Sequence, residues 1–292
     1  MKKNIVAAIA LCVVFAVNAT TAKIDYTTLI SHRGESIDAP ENTLPAFKTA
    51  VERGFGFECD IYISKDNRVF TFHDRTLTRT TGGANTNHCG DVSWDEISKL
   101  DVGSWGKWKG SRFAGTRPAL LEEVLDLAVD GRYIYVEIKT GPRIVPFVKE
   151  IIAKKKNVTP NNVLFISFNL DTCKALKTQM GEYKVYWLSS LHKRGKSKKQ
   201  GGERGRVPIE QSEIIKSLKY AKVDGLDFAF DEQLTTAEYI DAIKKEGFEC
   251  HAWTIDDVDK AEEAFKRGVQ TVTTNRAKYL LDAYRAKKCS LK

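Results

Sequence analysis

No apolar run in this 292-residue sequence reaches the about 20 residues that a membrane-spanning helix needs. The longest, Ile5 to Val17, follows Met1-Lys2-Lys3 and precedes the small residues Thr20-Thr21-Ala22, the three-part pattern of a cleavable secretory leader. Residues 1–22 are therefore read as a signal peptide and residues 23–292 as one domain, secreted or periplasmic and without stable membrane insertion. Cys12 raises a lipoprotein alternative. It fits less well, because Leu11 sits where a lipoprotein signal wants a small residue and the apolar run continues past Cys12.

Cysteine is also scarce. Of six, five lie beyond the leader, and their wide, irregular spacing fits neither a zinc ribbon nor a small disulfide scaffold. A chain of this length buries a full core without staples. Cys59, Cys173 and Cys250 lie in or beside apolar segments and are expected as buried free thiols, whereas Cys89 and Cys289 have polar surroundings and form the candidate pair. An acidic excess is missing too: the formal charge is +8, or +6 without Lys2 and Lys3, and much of it sits in Lys154-Lys155-Lys156 and in His192 to Arg206. Such runs are usually solvated loops, so no nucleic-acid partner is expected, though a positive surface draws in anionic small molecules. Ser190 to Val207 is read as a loop too basic and glycine-rich to form a core.

What the sequence does have is alternation. Short β-branched and aromatic runs at residues 28–31, 56–63, 133–138, 163–168, 185–189, 225–228, 249–254 and 271–274 alternate with helical patterns at 44–53, 143–155, 171–180, 212–220, 236–246, 256–267 and 277–286. Parallel strands joined by crossover helices follow from that order. Eight such units in about 250 residues predict an α/β fold, a (β/α)8 TIM barrel. Arg68 to His73 follows the second strand through Lys65-Asp66-Asn67 and is expected as an antiparallel partner of that strand. Residues 75–117, rich in Thr, Gly and Trp, are then an insertion on the rim, with Trp105 and Trp108 either walling the mouth or filling a small local core.

The chemistry-bearing residues fall at strand ends, where barrels of this kind build their sites. His32 and Arg33 end the first strand, Glu58 and Asp60 lie on the second, His73 ends its antiparallel partner, Glu137 and Lys139 end the third, and Trp253 ends the seventh. Residues two apart on a strand share a face, so Glu58 and Asp60 point together and Cys59 points away. A Glu137–Lys139 couple alone would read as a buried ion pair. Three carboxylates with few cations do not neutralise themselves, and an all-oxygen set suits a hard divalent cation, Ca²⁺ or Mg²⁺. Two histidines beside such a set can carry protons, while Arg33 and Lys139 offer charge to a phosphoryl group. That outfit matches metal-assisted phosphodiester cleavage.

Taken in order, His32-Arg33-Gly34, Pro40-Glu41-Asn42-Thr43, Glu58-Cys59-Asp60, His73-Asp74 and Glu137-Ile138-Lys139 resemble the glycerophosphodiester phosphodiesterase family, and Ser167-Phe168 and Ala252-Trp253-Thr254 extend the likeness over nearly the whole chain. The resemblance implies a barrel with an insertion after the second strand, a divalent metal held by Glu58, Asp60 and Glu137, and acid/base roles for His32 and His73. It implies glycerophosphodiester substrates split into glycerol 3-phosphate and an alcohol, phosphate contacts from Arg33 and Lys139, and Trp253 as a wall for the glycerol or head group. Glu41, Asn42 and Thr43 are expected to shape a loop, with Asn42 or Thr43 capping the next helix. One departure stands out: the family often carries an acidic residue near the end of the eighth strand, where this chain has Thr274-Asn275-Arg276.

Internal attack by a glycerol 2-hydroxyl and direct attack by water both remain open at this level, as does the head group. Two other readings compete. A phospholipid-directed phosphodiesterase of the same barrel type would need an exposed apolar rim, and Trp105, Trp108 and Phe113 are interrupted by Lys107, Lys109 and Arg112. A non-catalytic secreted binding protein would be expected to have lost a histidine or a metal carboxylate, and none is lost.

Overall fold

The computed structural model describes residues 24–25, 27–198 and 204–290; the expected leader, residues 1–22, lies outside the described residues. Eight parallel strands close on themselves: β1 (Leu29–Ser31), β2 (Gly56–Ile63), β4 (Ile134–Ile138), β5 (Val163–Ser167), β6 (Val185–Ser189), β9 (Gly225–Ala229), β10 (Glu249–Trp253) and β11 (Thr271–Thr274). β1 pairs with both β11 and β2, so the sheet has no free edge there and the fold is the expected (β/α)8 barrel. All eight residues of β2 are buried, the near-continuous apolar pattern of a strand covered on both faces.

Around the barrel run α1 (Leu44–Glu52), α3 (Leu121–Leu125), α4 (Val145–Ala153), α5 (Leu170–Gln179), α6 (Gln211–Ala221), α7 (Ala237–Lys245), α8 (Val258–Lys266) and α9 (Ala277–Ser290). Their starts are written locally. Asn169, Thr236 and Asp257 each accept a backbone N–H from the first turn of α5, α7 and α8. Inward residues such as Ile30, Tyr135, Leu164, Ile166 and Tyr186 fill the barrel, while Phe57, Cys59, Val136, Phe165 and Leu226 pack outward against the helices. Cys59 thus faces away from the barrel axis, as its position between Glu58 and Asp60 requires.

The short strand β3 (Val69–Thr71) pairs antiparallel with β2, Ile61 opposite Thr71 and Ile63 opposite Val69. Between β3 and α3 the chain leaves the barrel and returns, adding one short α-helix, α2 (Trp94–Ile97), two 3-10 turns, Cys89–Asp91 and Gly106–Trp108, and a small core in which Cys89 packs with Tyr62, Phe70, Phe72, Leu77 and Ile97.

Three expectations need correction. Cys89 is buried in that rim core and Cys289 is exposed on α9, and both are free thiols, so the candidate pair does not form. The basic stretch after β6 is not a plain loop: β7 (His192–Lys198) and β8 (Arg204–Pro208) form an antiparallel ribbon, with Lys193 opposite Val207. Ladder bonds are made by backbone groups and need no apolar side chains. Thr43 precedes α1 without a side-chain cap, because its hydroxyl donates to Pro40 O at 2.6 Å and Asn42 is engaged elsewhere.

Candidate active site

β1 ends at Ser31, and its register with β11 lets the His32 N–H donate to Thr274 O at 2.8 Å. Arg33 then turns into the left-handed region at φ +57°. The turn aims its backbone N–H at Glu58 Oε2, 2.9 Å away. Gly34 follows at φ +77°, and a Cβ there would lie 2.6 Å from the Ala46 backbone carbon, so only glycine lets this turn rest on α1. On β2, Glu58 and Asp60 point inward together, and the parallel register sets Asp60 beside Glu137 of β4. One oxygen from each of the three buried carboxyls lies within 4.8 Å of the others.

Two cations face this trio. Lys139 Nζ lies 2.8 Å from Glu137 Oε1 and 3.1 Å from Asp60 Oδ1. Arg33 Nε lies 3.5 Å from Asp60 Oδ2, and its Nη1 donates to Glu41 Oε1 at 2.9 Å. Against its burial, Lys139 and Arg33 hold the Asp60 carboxyl at about 2. Burial, and then the charges of Asp60 and Glu137, push Glu58 well above the usual carboxylate range; burial and Asp60 push Glu137 up to about 7. Arg33 and Lys139 thus do not suffice to keep all three carboxyls ionised, and the trio would shed its protons fully only to a further positive charge. Glu58 Oε1 is buried without a hydrogen-bond partner among the described residues. An orphaned oxygen in an all-carboxylate set fits a hard divalent cation.

The histidines flank the trio from two sides. His32 Nδ1 lies 2.7 Å from Asn275 Oδ1 and its Nε2 lies 3.9 Å from Glu58 Oε2. Burial and the neighbouring Arg33 charge lower its pKa to about 4. His73 stands beyond β3, with Nδ1 2.7 Å from Asp74 Oδ1. A cavity of about 200 Å³ is lined by His32, Arg33, Glu58, His73, Glu137, Lys139 and Trp253, while Asp60 lies behind them in contact with Lys139. Trp253 packs edge-on against Phe168, ring centroids 5.6 Å apart, and anchors its indole N–H on Asp227 O at 3.1 Å.

Some residues at the site escaped the sequence reading. Arg79, from the rim segment, donates to both Asp74 and Glu41 and stacks over Trp105 at 4.9 Å. Asp256 holds Asn275. Asp227 lines the cavity and is 1 % exposed, with Oδ1 unpartnered among the described residues. Only Asp227 carried a local signal, a lone acid within an apolar strand. Trp105 and Trp108 do not line this cavity; they border a neighbouring one with Glu41, Asp256 and Asn275. Trp108 packs edge-on against Phe113 with Lys107 across its ring, so these aromatics do not form an exposed apolar rim. Among the described residues no helix is long and apolar enough to cross a membrane.

Comparison with known proteins gives one family. The model of the glycerophosphoryl diester phosphodiesterase family matches residues 32–278. A glycerophosphodiester phosphodiesterase of Caldanaerobacter subterraneus subsp. tengcongensis is 30% identical over 263 residues, covering 89% of this chain and 98% of that protein. A human glycerophosphoinositol inositolphosphodiesterase is 26% identical over 280 residues, 86% of this chain and 46% of that protein. The fold matches an Oleispira antarctica phosphodiesterase solved with the product sn-glycerol-3-phosphate, with a TM-score of 0.72 and 23% identity over 88% of this chain and 96% of that one.

Proposed function

The chain is an enzyme of the glycerophosphoryl diester phosphodiesterase family, and from that premise we propose that it hydrolyses glycerophosphodiesters to sn-glycerol 3-phosphate and an alcohol. The observation that carries this reading is the buried trio of Glu58, Asp60 and Glu137 beside Arg33, Lys139 and two histidines at one cavity. Glu58, Asp60 and Glu137 would hold a divalent cation, Ca²⁺ or Mg²⁺, which supplies positive charge to the phosphoryl oxygens. Arg33 and Lys139 bind the same phosphate with charge already fixed in place. His32 and His73 work as a pair: one takes the proton of the attacking nucleophile, a glycerol 2-hydroxyl or water, and the other gives one to the leaving alkoxide. Trp253 and Phe168 form an apolar wall for the glycerol or the head group. The product seen with the Oleispira antarctica protein supports the choice of substrate class.

The leader-like residues 1–22 support export, and N-terminal sequencing of the mature protein should begin near Lys23. Activity is tested with purified protein on glycerophosphocholine and other deacylated phospholipids, with intact phospholipids alongside. Glycerol 3-phosphate should appear with Ca²⁺ or Mg²⁺, vanish with chelator, and vanish in folded His32→Ala and His73→Ala variants. Release from no substrate in the panel with either ion would sink the reading; full activity in both histidine variants would sink the assignment of the pair.

A further inference from the structure

The segment that departs from the resemblance, Thr274-Asn275-Arg276, lies directly under His32. β11 and β1 run in parallel register with Thr274 beside Ser31, so the next residue, Asn275, comes beneath the imidazole. Asp256, between β10 and α8, meets it there. Asp256 Oδ1 accepts from the Asn275 backbone N–H at 2.8 Å and from Thr274 Oγ1 at 2.9 Å, and Oδ2 lies 2.7 Å from Asn275 Nδ2.

These contacts leave one arrangement of hydrogens. A backbone N–H can only donate, so the carboxylate acts as acceptor in this corner, and the end of the Asn275 amide that faces it must be the NH2 group. The opposite end, Oδ1, therefore faces His32 Nδ1 at 2.7 Å. An amide oxygen only accepts, so Nδ1 must carry the hydrogen. The Nε2 lone pair then points to the cavity side, 3.9 Å from Glu58 Oε2. His73 reaches the same tautomer by another route, through the carboxylate of Asp74. For His32 the partner is a neutral amide, and the negative charge stands one residue further out.

We propose that Asp256 and Asn275 are positioning residues that lock His32 as its Nδ1–H tautomer, making Nε2 the atom that takes up and gives up the proton. The catalytic consequence rests on the phosphodiesterase reading; the tautomer itself does not. Which ring nitrogen of a histidine carries the hydrogen is set by the bond the other one makes, and loss of such outer partners costs about 10–100-fold in activity in comparable sites.

The test reads the tautomer directly, by long-range ¹H–¹⁵N correlation on the full chain labelled at histidine, with His32→Gln and His73→Gln assigning the two signals. Native His32 should show a protonated Nδ1 and a bare Nε2. Asn275→Ala should move His32 toward the Nε2–H form while His73 stays fixed, which also reports that the site is folded, and should lower kcat about 10–100-fold with KM little changed. Asp256→Ala, which frees the amide to turn over, should shift His32 in the same direction. Asn275→Asp combined with Asp256→Asn restores an acceptor at Nδ1 and a donor behind it, and should rescue both tautomer and kcat. A native His32 protonated at Nε2, or an Asn275→Ala protein that keeps the Nδ1–H signature, overturns the proposal. The expected signature in a native protein that releases no glycerol 3-phosphate supports the tautomer lock and instead overturns the phosphodiesterase reading.

Discussion

Asn42 and Asp60 hold each other by two hydrogen bonds: Asn42 Nδ2 donates to Asp60 Oδ2 at 2.7 Å, and the Asp60 N–H donates to Asn42 Oδ1 at 3.0 Å. The loop reaches this contact because Asn42 adopts φ +56°, a conformation that asparagine tolerates better than most residues. One oxygen of a candidate metal ligand is thereby aimed before any ion arrives.

Asn42→Ala should cost about 3 kcal/mol in chemical unfolding, combining lost bonds to a charged group with left-handed backbone strain. Asn42→Gly keeps the backbone at ease and isolates the side chain's part. In that variant Ca²⁺ or Mg²⁺ affinity by calorimetric titration should fall about 10–100-fold. Native affinity in Asn42→Gly would mean that the amide serves the loop alone.

Strand alternation made the barrel legible. The runs at 56–63, 185–189 and 271–274 match β2, β6 and β11 end for end, because buried parallel strands are rich in β-branched and aromatic residues and bounded by polar turns. Glu58, Asp60, Glu137 and Lys139 stood out for the same reason, as charges inside apolar strands. Arg79 and Asp256 did not, and Asn42 stood out only as a loop or capping residue and not as a partner of Asp60, since loop polar residues have no period and the partners of Asn42, Arg79 and Asp256 lie 18, 38 and 19 residues away. The β7–β8 ribbon was hidden by its charge, which obscures backbone pairing. Cys89 was misjudged because the rim segment's core is assembled from residues scattered over 62–102, and no single window of that segment looks apolar.

Arg79 couples the rim segment to the proposed acid/base pair. Its Nε donates to Asp74 Oδ2 at 2.7 Å and its Nη2 to Glu41 Oε1 at 2.7 Å, so Asp74, which holds His73, is itself held. The Arg79 hydrogen bonds, working against partial burial, keep the Asp74 carboxyl at about 2. A lysine cannot reproduce a planar fork that spans two carboxylates. Arg79→Lys and Arg79→Ala should both lower kcat, the latter by about 10–100-fold, with little change in thermal stability. Steady-state kinetics on glycerophosphocholine check this, and an unchanged kcat in Arg79→Ala would remove the rim segment from catalysis.

At the opposite end of the barrel Glu249 meets Tyr186 Oη at 2.5 Å and Lys184 Nζ at 2.7 Å, with His251 Nε2 at 3.5 Å. The His251 imidazole first, then Lys184 and Tyr186 working against burial, hold its carboxyl at about 2. A carboxyl held below its unfolded value of about 4.3 stabilises the fold at any pH above that value, and the contribution is lost as pH falls from there through about 2. With the side chain partly exposed, screening leaves about 1–2 kcal/mol. Urea unfolding should therefore show stability falling between pH 4.5 and 2 in the native protein, and a shallower fall in Glu249→Gln, which starts about 1–2 kcal/mol lower at pH 7. Equal slopes would show that other carboxyls dominate acid unfolding.

Asp227 is the residue least explained by stability. It is 1 % exposed, and burial followed by the charge of Glu137 drives its carboxyl well above the usual range. Burial thus disfavours its charged form, so at neutral pH it costs the protein free energy relative to a neutral side chain. Asp227→Asn and Asp227→Leu should both raise the unfolding free energy at pH 7, by about 1–2 kcal/mol. The unpartnered Oδ1 lies at the wall of the cavity where a glycerol or head-group hydroxyl would enter. Asparagine keeps a polar atom there and leucine does not, so KM for glycerophosphocholine should stay near native in the first variant and rise about tenfold or more in the second, the cost of leaving a substrate hydroxyl without its partner. A leucine variant that is more stable and binds substrate as well as the native enzyme would make Asp227 a burden on the fold with no role in recognition.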